Sequence, residues 1–195
     1  MNNSKKIGLY FGSFNPIHSG HLMIADYMVE HTEIDQVWFV VSPHNPFKNK
    51  KNLLHDSERL SLVQIAIKGR KFIHVSDIEF HLPQPSFTIH SLQRLVKNNP
   101  LFEFSIIMGE DNLSSFDQWK GYTQILKNHQ IYVYPRTNAP FSLLGKHKNI
   151  HMIDAPMLKI SSTQIRADLN KGKNLDEILP KEVLARIREM NYFID

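Results

Sequence analysis

Cysteine is absent from the 195-residue chain. That absence excludes a disulfide framework, a thiolate metal site and a thiol nucleophile, and it suits a reducing compartment. Long hydrophobic runs are missing as well. The polar start, Met1 to Lys6, leads into an apolar stretch too short for a signal-peptide core or a membrane span, so a soluble, cytoplasmic protein without a membrane partner is expected. No repeat of fixed period and no low-complexity block interrupts the chain. There is no long basic tract either: the net charge of +4 is spread along the sequence, which favours anionic ligands in general and fits small phosphorylated substrates as well as nucleic acid.

What is present reads as an ordinary globular chain. Hydrophobic residues make up 42% and charged residues 22%, the balance of a folded, water-soluble protein rather than a disordered one. The length suits one core, and a single domain over residues 1–195 is expected. Apolar runs of strand length occur at Ile7–Phe11, Gln36–Val41, Phe72–Ser76, Phe102–Met108, Gln130–Tyr134 and Ile150–Ile153. Most are continuous rather than alternating, as in strands covered on both faces. Segments of helical period separate them, the pattern of an α/β fold with a doubly wound parallel sheet and helices on both faces. Helices are predicted from about His21 to His31, from Ser57 to Lys68 behind an Asp56 cap, and from Thr88 to Asn98, stopped by Pro100. Two more are predicted near the end. One starts near Ser162, capped by Ser161 or Ser162, and ends near Gly172; the other has Pro180 in its first turn and runs through Arg188. Ser42 to Leu54 reads as a long loop expected to move over a ligand, and Thr137 to Gly145 as another loop.

The chemistry concentrates at two places. After the first strand comes Gly12-Ser13-Phe14-Asn15-Pro16-Ile17-His18-Ser19-Gly20-His21, running directly into an amphipathic helix. A strand, a glycine turn and a helix start aim unpaired N–H groups and the positive end of the helix dipole at one point, a site for phosphate. Gly12 is expected to let backbone approach a ligand, and Gly20 to let the helix start pack closely. His18 and His21, three apart, can lie on one side of the first turn and donate to the same triphosphate. The dipole lowers a histidine pKa there and an arriving triphosphate raises it. Glycines alone would mark no more than a turn, and the two histidines tip the reading toward a ligand. Zinc is disfavoured because no further His/Asp/Glu cluster lies nearby in the sequence. The second place is Ile160-Ser161-Ser162-Thr163-Gln164-Ile165-Arg166, where hydroxyls meet at a helix start and Arg166 can grip two phosphate oxygens. Alone it is a serine cap with a solvated arginine; with the first motif it becomes a second anion site.

The Gly-Ser-Phe-Asn-Pro-x-His-x-Gly-His segment together with Ile-Ser-Ser-Thr-x-Ile-Arg resembles the nucleotidyltransferase superfamily of Rossmann-like folds, and specifically the nicotinate-mononucleotide adenylyltransferases of bacterial NAD synthesis. Pro85-Ser86-Phe87-Thr88 is similar to that family's Ser-Tyr-Thr segment, and Met108-Gly109-Glu110-Asp111-Asn112-Leu113 with Phe116 and Trp119 to its Gly-x-Asp-x-Leu, Phe and Trp segment. The resemblance covers nearly the whole chain. It implies a Rossmann-like sheet and adenylyl transfer from ATP to nicotinate mononucleotide in pyridine nucleotide biosynthesis. Mg²⁺ would be carried by the ATP phosphates and water, without a protein metal ligand. Residue by residue, it implies that His18, His21 and Arg166 hold the triphosphate with Ser161, Ser162 and Thr163, beside the turn Gly12, Ser13, Phe14 and Gly20. It implies that Asp111 contacts the adenosine ribose or base, that Trp119 stacks on the pyridine ring, and that Phe87 and Thr88 read the nicotinate carboxylate. As a residue, Trp119 serves equally well as a core aromatic, and Trp38, inside a strand, reads as packing. Two departures stand out. Asn15 replaces a frequent Asp, tolerable at a position that shapes the turn, and the family's Pro-Pro-His-Lys loop appears as Ser42-Pro43-His44-Asn45-Pro46-Phe47-Lys48. His44 and Lys48 are the candidates there for the mononucleotide, with Lys50 or Lys51 as substitutes for Lys48.

Three other readings stay open on sequence. The same chemistry could act on nicotinamide mononucleotide or on phosphopantetheine, although the Ser-Ser-Thr-x-Ile-Arg ending and Trp119 argue against the latter. A non-enzymatic nucleotide- or RNA-binding module is the third, and the lack of a basic aromatic stripe argues against a nucleic-acid partner. Oligomeric state leaves no sequence signal.

Overall fold

The computed structural model describes residues 4–43, 53–157 and 159–193. Six strands form one sheet among these residues: β1 (Lys5–Gly12), β2 (Gln36–Val41), β3 (Ile73–Ser76), β4 (Phe102–Gly109), β5 (Ile131–Tyr134) and β6 (Ile150–Met152). Their order is β3-β2-β1-β4-β5-β6 and every pairing is parallel. Seven α-helices connect or follow them: α1 (Ser19–His31), α2 (Asp56–Ala66), α3 (Thr88–Asn98), α4 (Glu110–Leu113), α5 (Tyr122–Asn128), α6 (Ser162–Asn170) and α7 (Lys181–Glu189). This is the doubly wound, Rossmann-like arrangement expected from the alternation of patterns.

The continuous hydrophobicity of the strands is explained by a core on each side of the sheet. In β1, Ile7 and Leu9 enter the core built with Ile89, Leu92 and Leu95 of α3 and Ile125 of α5. Tyr10 points the other way, into the core of α1, α2, α6 and α7, which Met28, Leu62, Ile165 and Ile187 help to fill. A strand with both faces buried has no polar face to alternate with, and each large apolar side chain fully withdrawn from water contributes roughly 1.5–3 kcal/mol. Trp38 lies against the α3 side, edge-on to Phe102 and Phe104 at 6.0 and 5.9 Å, a packing role.

Several details differ from the sequence expectation, among them the four-residue helix α4, which was not anticipated. His55, not Asp56, caps α2: its ring nitrogen accepts from the Ser57 amide, and Asp56 is the first helical residue. Pro180 is the residue before α7 rather than a member of its first turn. Helix α5 was not anticipated because only Ile125 and Leu126 of its seven residues are buried and it begins at Gly121, in the left-handed region at φ 69°, without a hydroxyl cap. So short an element leaves no 3.6-residue period to detect. No helix among the described residues is long and apolar enough to cross a membrane.

Candidate active site

Strand order reverses between β1 and β4: the chain leaves β1 toward β2 and β3, then returns to β4 on the other side. Crossover helices depart to opposite faces at such a point and leave a crevice at the strand carboxyl ends. A cleft of about 240 Å³ opens there, bounded by Tyr10, Gly12, Glu79, Phe87, Thr88 and Trp119 among others.

One end of the cleft is the turn from β1 into α1. Phe14 is in the left-handed region at φ 46°, which costs a residue with a Cβ roughly 1–2 kcal/mol. The buried ring it turns inward meets Phe39 and His21, each at 5.1 Å between centroids. This explains Gly12 differently from the expectation of a close ligand approach: a Cβ there would lie 2.7 Å from the Phe14 ring. His18 precedes α1 and is 4% exposed; His21 is in the first turn, and the two rings stack at 3.7 Å. His21 Nδ1 accepts from the His18 amide at 3.3 Å, whereas His18 Nδ1 is buried with no hydrogen-bond partner among the described residues. Burial, and then the Arg136 guanidinium, push His18 down to about 4, so the free protein holds it neutral. One helix-start N–H expected to face a ligand is already engaged: Ser19 donates its amide and its hydroxyl to Ile178 O, at 2.9 and 2.8 Å.

Helix α6 docks on that turn. Ser161 caps the helix through Gln164 N, leaving Ser162 to donate to Pro16 O at 3.0 Å. Arg166 Nη1 donates to Asn15 O at 2.7 Å and Nη2 to Thr163 Oγ1 at 3.4 Å, and its partial burial lowers its pKa. Two segments about 150 residues apart are therefore bonded to each other. Asn15 is 4% exposed and receives the Leu54 amide on its side chain, a turn-shaping role.

The opposite wall is the start of α3. Phe87 stands just before the helix and Thr88 begins it, while Lys120 lies 4.6 Å over the Phe87 ring. Trp119 is half-buried, edge-on to Phe116 at 5.4 Å, with part of its surface on the cleft. Asp111 does not line the cleft. It is exposed, with Oδ1 3.6 Å from Arg136 Nε, and folds back over Gly109, whose Cβ would be 2.3 Å from that oxygen. The structure thus brings His18 and His21 to a small pocket beside the cleft, with Ser162 and Arg166 bonded to the same turn, and Phe87, Thr88 and Trp119 to the cleft itself, while Asp111 lines neither. His44 and Lys48, with Lys50 and Lys51, lie outside the described residues.

This geometry agrees with comparisons to known proteins. The cytidylyltransferase-like family model matches residues 9–168. A Flavobacterium psychrophilum protein named "Probable nicotinate-nucleotide adenylyltransferase" is 51% identical over 96% of this chain and 98% of its own length. A Bacteroides fragilis protein of the same name is 46% identical over 97% of this chain and 94% of its own. The chain belongs to the cytidylyltransferase-like family. Its fold is also that of the Plasmodium falciparum nicotinic acid mononucleotide adenylyltransferase complexed with NaAD, at TM-score 0.82 and 22% identity over 97% of each chain.

Several residues of this cytidylyltransferase-like site gave no sequence signal. Arg59 of α2 is fully buried and donates to the carbonyls of Ser13, Ser42, Pro43 and Leu54 and to Asp56, at 2.6–3.4 Å. It ties the ends of β1 and β2 to α2; on sequence it is one cation on an ordinary amphipathic helix. Arg136 follows β5 and lines a small pocket with His18, Gly20 and His21. Tyr10 donates to Tyr134 at 2.8 Å, and this pair borders both that pocket and the cleft. Burial holds both phenols above the usual range, hence neutral. Glu79, 2% exposed, is raised by burial against the opposing effect of the Ser91, Ser42 and Ser86 hydroxyls.

Proposed function

We propose that this chain, as one nucleotidyltransferase domain, transfers the adenylyl group of ATP to nicotinate mononucleotide, giving nicotinate adenine dinucleotide and pyrophosphate. The names of its relatives and the sequence resemblance point to this activity. The single observation that carries the site assignment is the docking of α6 on the β1–α1 turn, with Arg166 on Asn15 O and Ser162 on Pro16 O beside the stacked histidines. It gathers the donors of both motifs on one turn, whose histidines line a small pocket that shares Tyr10 and Tyr134 with the neighbouring cleft of aromatic wall.

In the reaction a 5′-phosphate oxygen of the mononucleotide bonds to the α-phosphorus of ATP as the bond to the β-phosphate bridge oxygen breaks. The electron pair leaves with pyrophosphate. No enzyme nucleophile is required; the protein positions the reactants and neutralises charge building on the leaving group. His18 and His21 serve this by hydrogen bonding, and a bound triphosphate favours their protonated forms against the burial that keeps His18 neutral. Arg166 holds the phosphates with the guanidinium N–H groups beyond those given to Asn15 O and Thr163 Oγ1. Trp119 stacks on the pyridine ring, and Phe87 and Thr88, where α3 begins, meet its carboxylate. Asp111 reads the adenosine at the rim.

The donors around the turn are imidazoles and guanidinia, and the nearby Asp111 carboxylate is paired with Arg136, so a magnesium ion fits through the nucleotide phosphates and water rather than a protein cage. When bound, it neutralises triphosphate charge. Pyrophosphate release with ATP and Mg²⁺, offered nicotinate mononucleotide, nicotinamide mononucleotide and phosphopantetheine in parallel, tests the assignment. The first acceptor is expected to be fastest. Silence with all three rejects nucleotidyl transfer, and faster turnover of either other acceptor reassigns the substrate.

A further inference from the structure

Glu79 occupies the single turn of 3-10 helix Ile78–His81, between β3 and α3, and forms part of the cleft wall beside Ser42, Ser86 and Phe87. Its two carboxyl oxygens differ. Oε1 receives the Ser91 hydroxyl at 2.7 Å, which links this turn to α3. Among the described residues Oε2 has no partner at hydrogen-bonding distance, and neither has Ser86 Oγ on the same wall; the Ser42 and Ser86 hydroxyls are near enough to oppose the effect of burial on the carboxyl. With residue exposures of 2% and 8%, neither group obtains its missing bond from bulk water. A buried polar atom left unpaired costs folding stability and calls for an explanation. At the wall of a binding cleft, a bond supplied by the ligand is such an explanation.

The chemistry of the acceptor narrows what that ligand group can be. A carboxylate oxygen needs a donor. Nicotinate mononucleotide presents acceptors at its phosphate and its ring carboxylate, an aromatic face, and only two donors, the ribose 2′ and 3′ hydroxyls. Phe87 and Thr88, assigned above to the pyridine end, directly follow Ser86, so the sugar is within a few atoms of this wall. We infer that the Glu79 carboxylate is a specificity-determining binding residue that receives a ribose hydroxyl of the mononucleotide, with Ser86 beside it. This inference rests on the acceptor proposed above.

The test offers ATP and Mg²⁺ with nicotinate mononucleotide or its 2′-deoxy and 3′-deoxy forms to the wild-type protein and to Glu79→Gln, following pyrophosphate release. In the wild type at least one deoxy form should lose about tenfold to a hundredfold in kcat/KM, the worth of a hydrogen bond to a charged group. Glu79→Gln should lose a similar factor on the parent mononucleotide, leave KM for ATP within about twofold, and no longer distinguish parent from deoxy form. Its amide oxygen still accepts from Ser91, so the link to α3 survives. A wild type indifferent to both deoxy forms overturns the inference. So does a Glu79→Gln protein that is weakened equally on every acceptor and keeps the wild-type discrimination, since that outcome means a structural role or attraction to the pyridinium charge. Should Glu79→Gln fail to fold, Glu79→Asp carries the same comparison, with the carboxylate withdrawn by one methylene. Failure of the wild type on the parent mononucleotide rejects the acceptor assignment itself, and is distinguishable because it appears before any variant is examined.

Discussion

At the β1–α1 end of the cleft the chain is fixed by bonds among its own parts: Ser162 on Pro16 O, Arg166 on Asn15 O, Ser19 on Ile178 O and Arg59 on Ser13 O. At the α3 end the wall includes polar atoms without a hydrogen-bond partner among the described residues, Glu79 Oε2 and the Ser86 hydroxyl, and the half-buried face of Trp119. The difference matches two tasks. A leaving group that gains charge is stabilised best by donors fixed beforehand, because no reorganisation is then needed as the charge develops. An acceptor must be distinguished from its analogues, and unpaired polar groups distinguish well because the wrong ligand leaves them unpaired.

Arg59 offers the strongest way to break the first end. Arg59→Met removes five donor contacts from a fully buried site and is expected to lower unfolding free energy by about 3–5 kcal/mol in denaturant titration. A loss below about 1 kcal/mol would mean that the two strand ends are held in place by other means. The next effect is catalytic. His21→Ala should lower kcat by roughly 10²- to 10³-fold with KM for the mononucleotide nearly unchanged, in steady-state pyrophosphate release. Trp119→Ala probes the other end and should show the opposite split, with KM for the mononucleotide up about tenfold and KM for ATP steady. Exchanged patterns would reverse the assignment of the two ends.

The smallest effect is a titration. His18, at about 4 in the folded protein against an ordinary value of 6.5, takes up its proton in the unfolded chain first as the pH falls. Its contribution to stability is therefore complete above pH 6.5 and erodes as the pH drops toward 4. Followed by NMR of the imidazole ring, the His18 titration should move upward when a triphosphate binds. It should move upward by less in free Arg136→Ala, because burial is the larger cause of the depression and the Arg136 charge the smaller. No upward movement with triphosphate would show that the nucleotide does not reach this ring.

Much of the fold was legible because its signal is local. β1 extends the expected Ile7–Phe11 by two residues at its start and one at its end, and β2 and α3 match residue for residue, since a buried strand and an amphipathic helix imprint their burial on consecutive residues. Helices α4 and α5 and the cap on α2 were missed where that imprint is weak: one buried residue in α4, two in α5, and at the cap a histidine doing the work usually given to Ser, Thr or Asp. Around the β1–α1 turn, His18, His21 and Arg166 stood out in the sequence through their motifs, and the structure brings them together there. Arg59, Arg136, Tyr10, Tyr134 and Glu79 did not stand out.

By itself, the sequence determined the six strands and the longer helices along the chain, the burial of both faces of the sheet and the two segments proposed to bind phosphate, since each is encoded in residues close along the chain. Only the tertiary structure decided that α6 docks on the β1–α1 turn, that Arg59 ties β1 and β2 to α2, and that one oxygen of Glu79 has no hydrogen-bond partner among the described residues. Those facts depend on which carbonyls and hydroxyls meet after the chain has crossed the sheet. A guanidinium or a carboxylate looks the same in sequence whether it is solvated, fully bonded or one bond short.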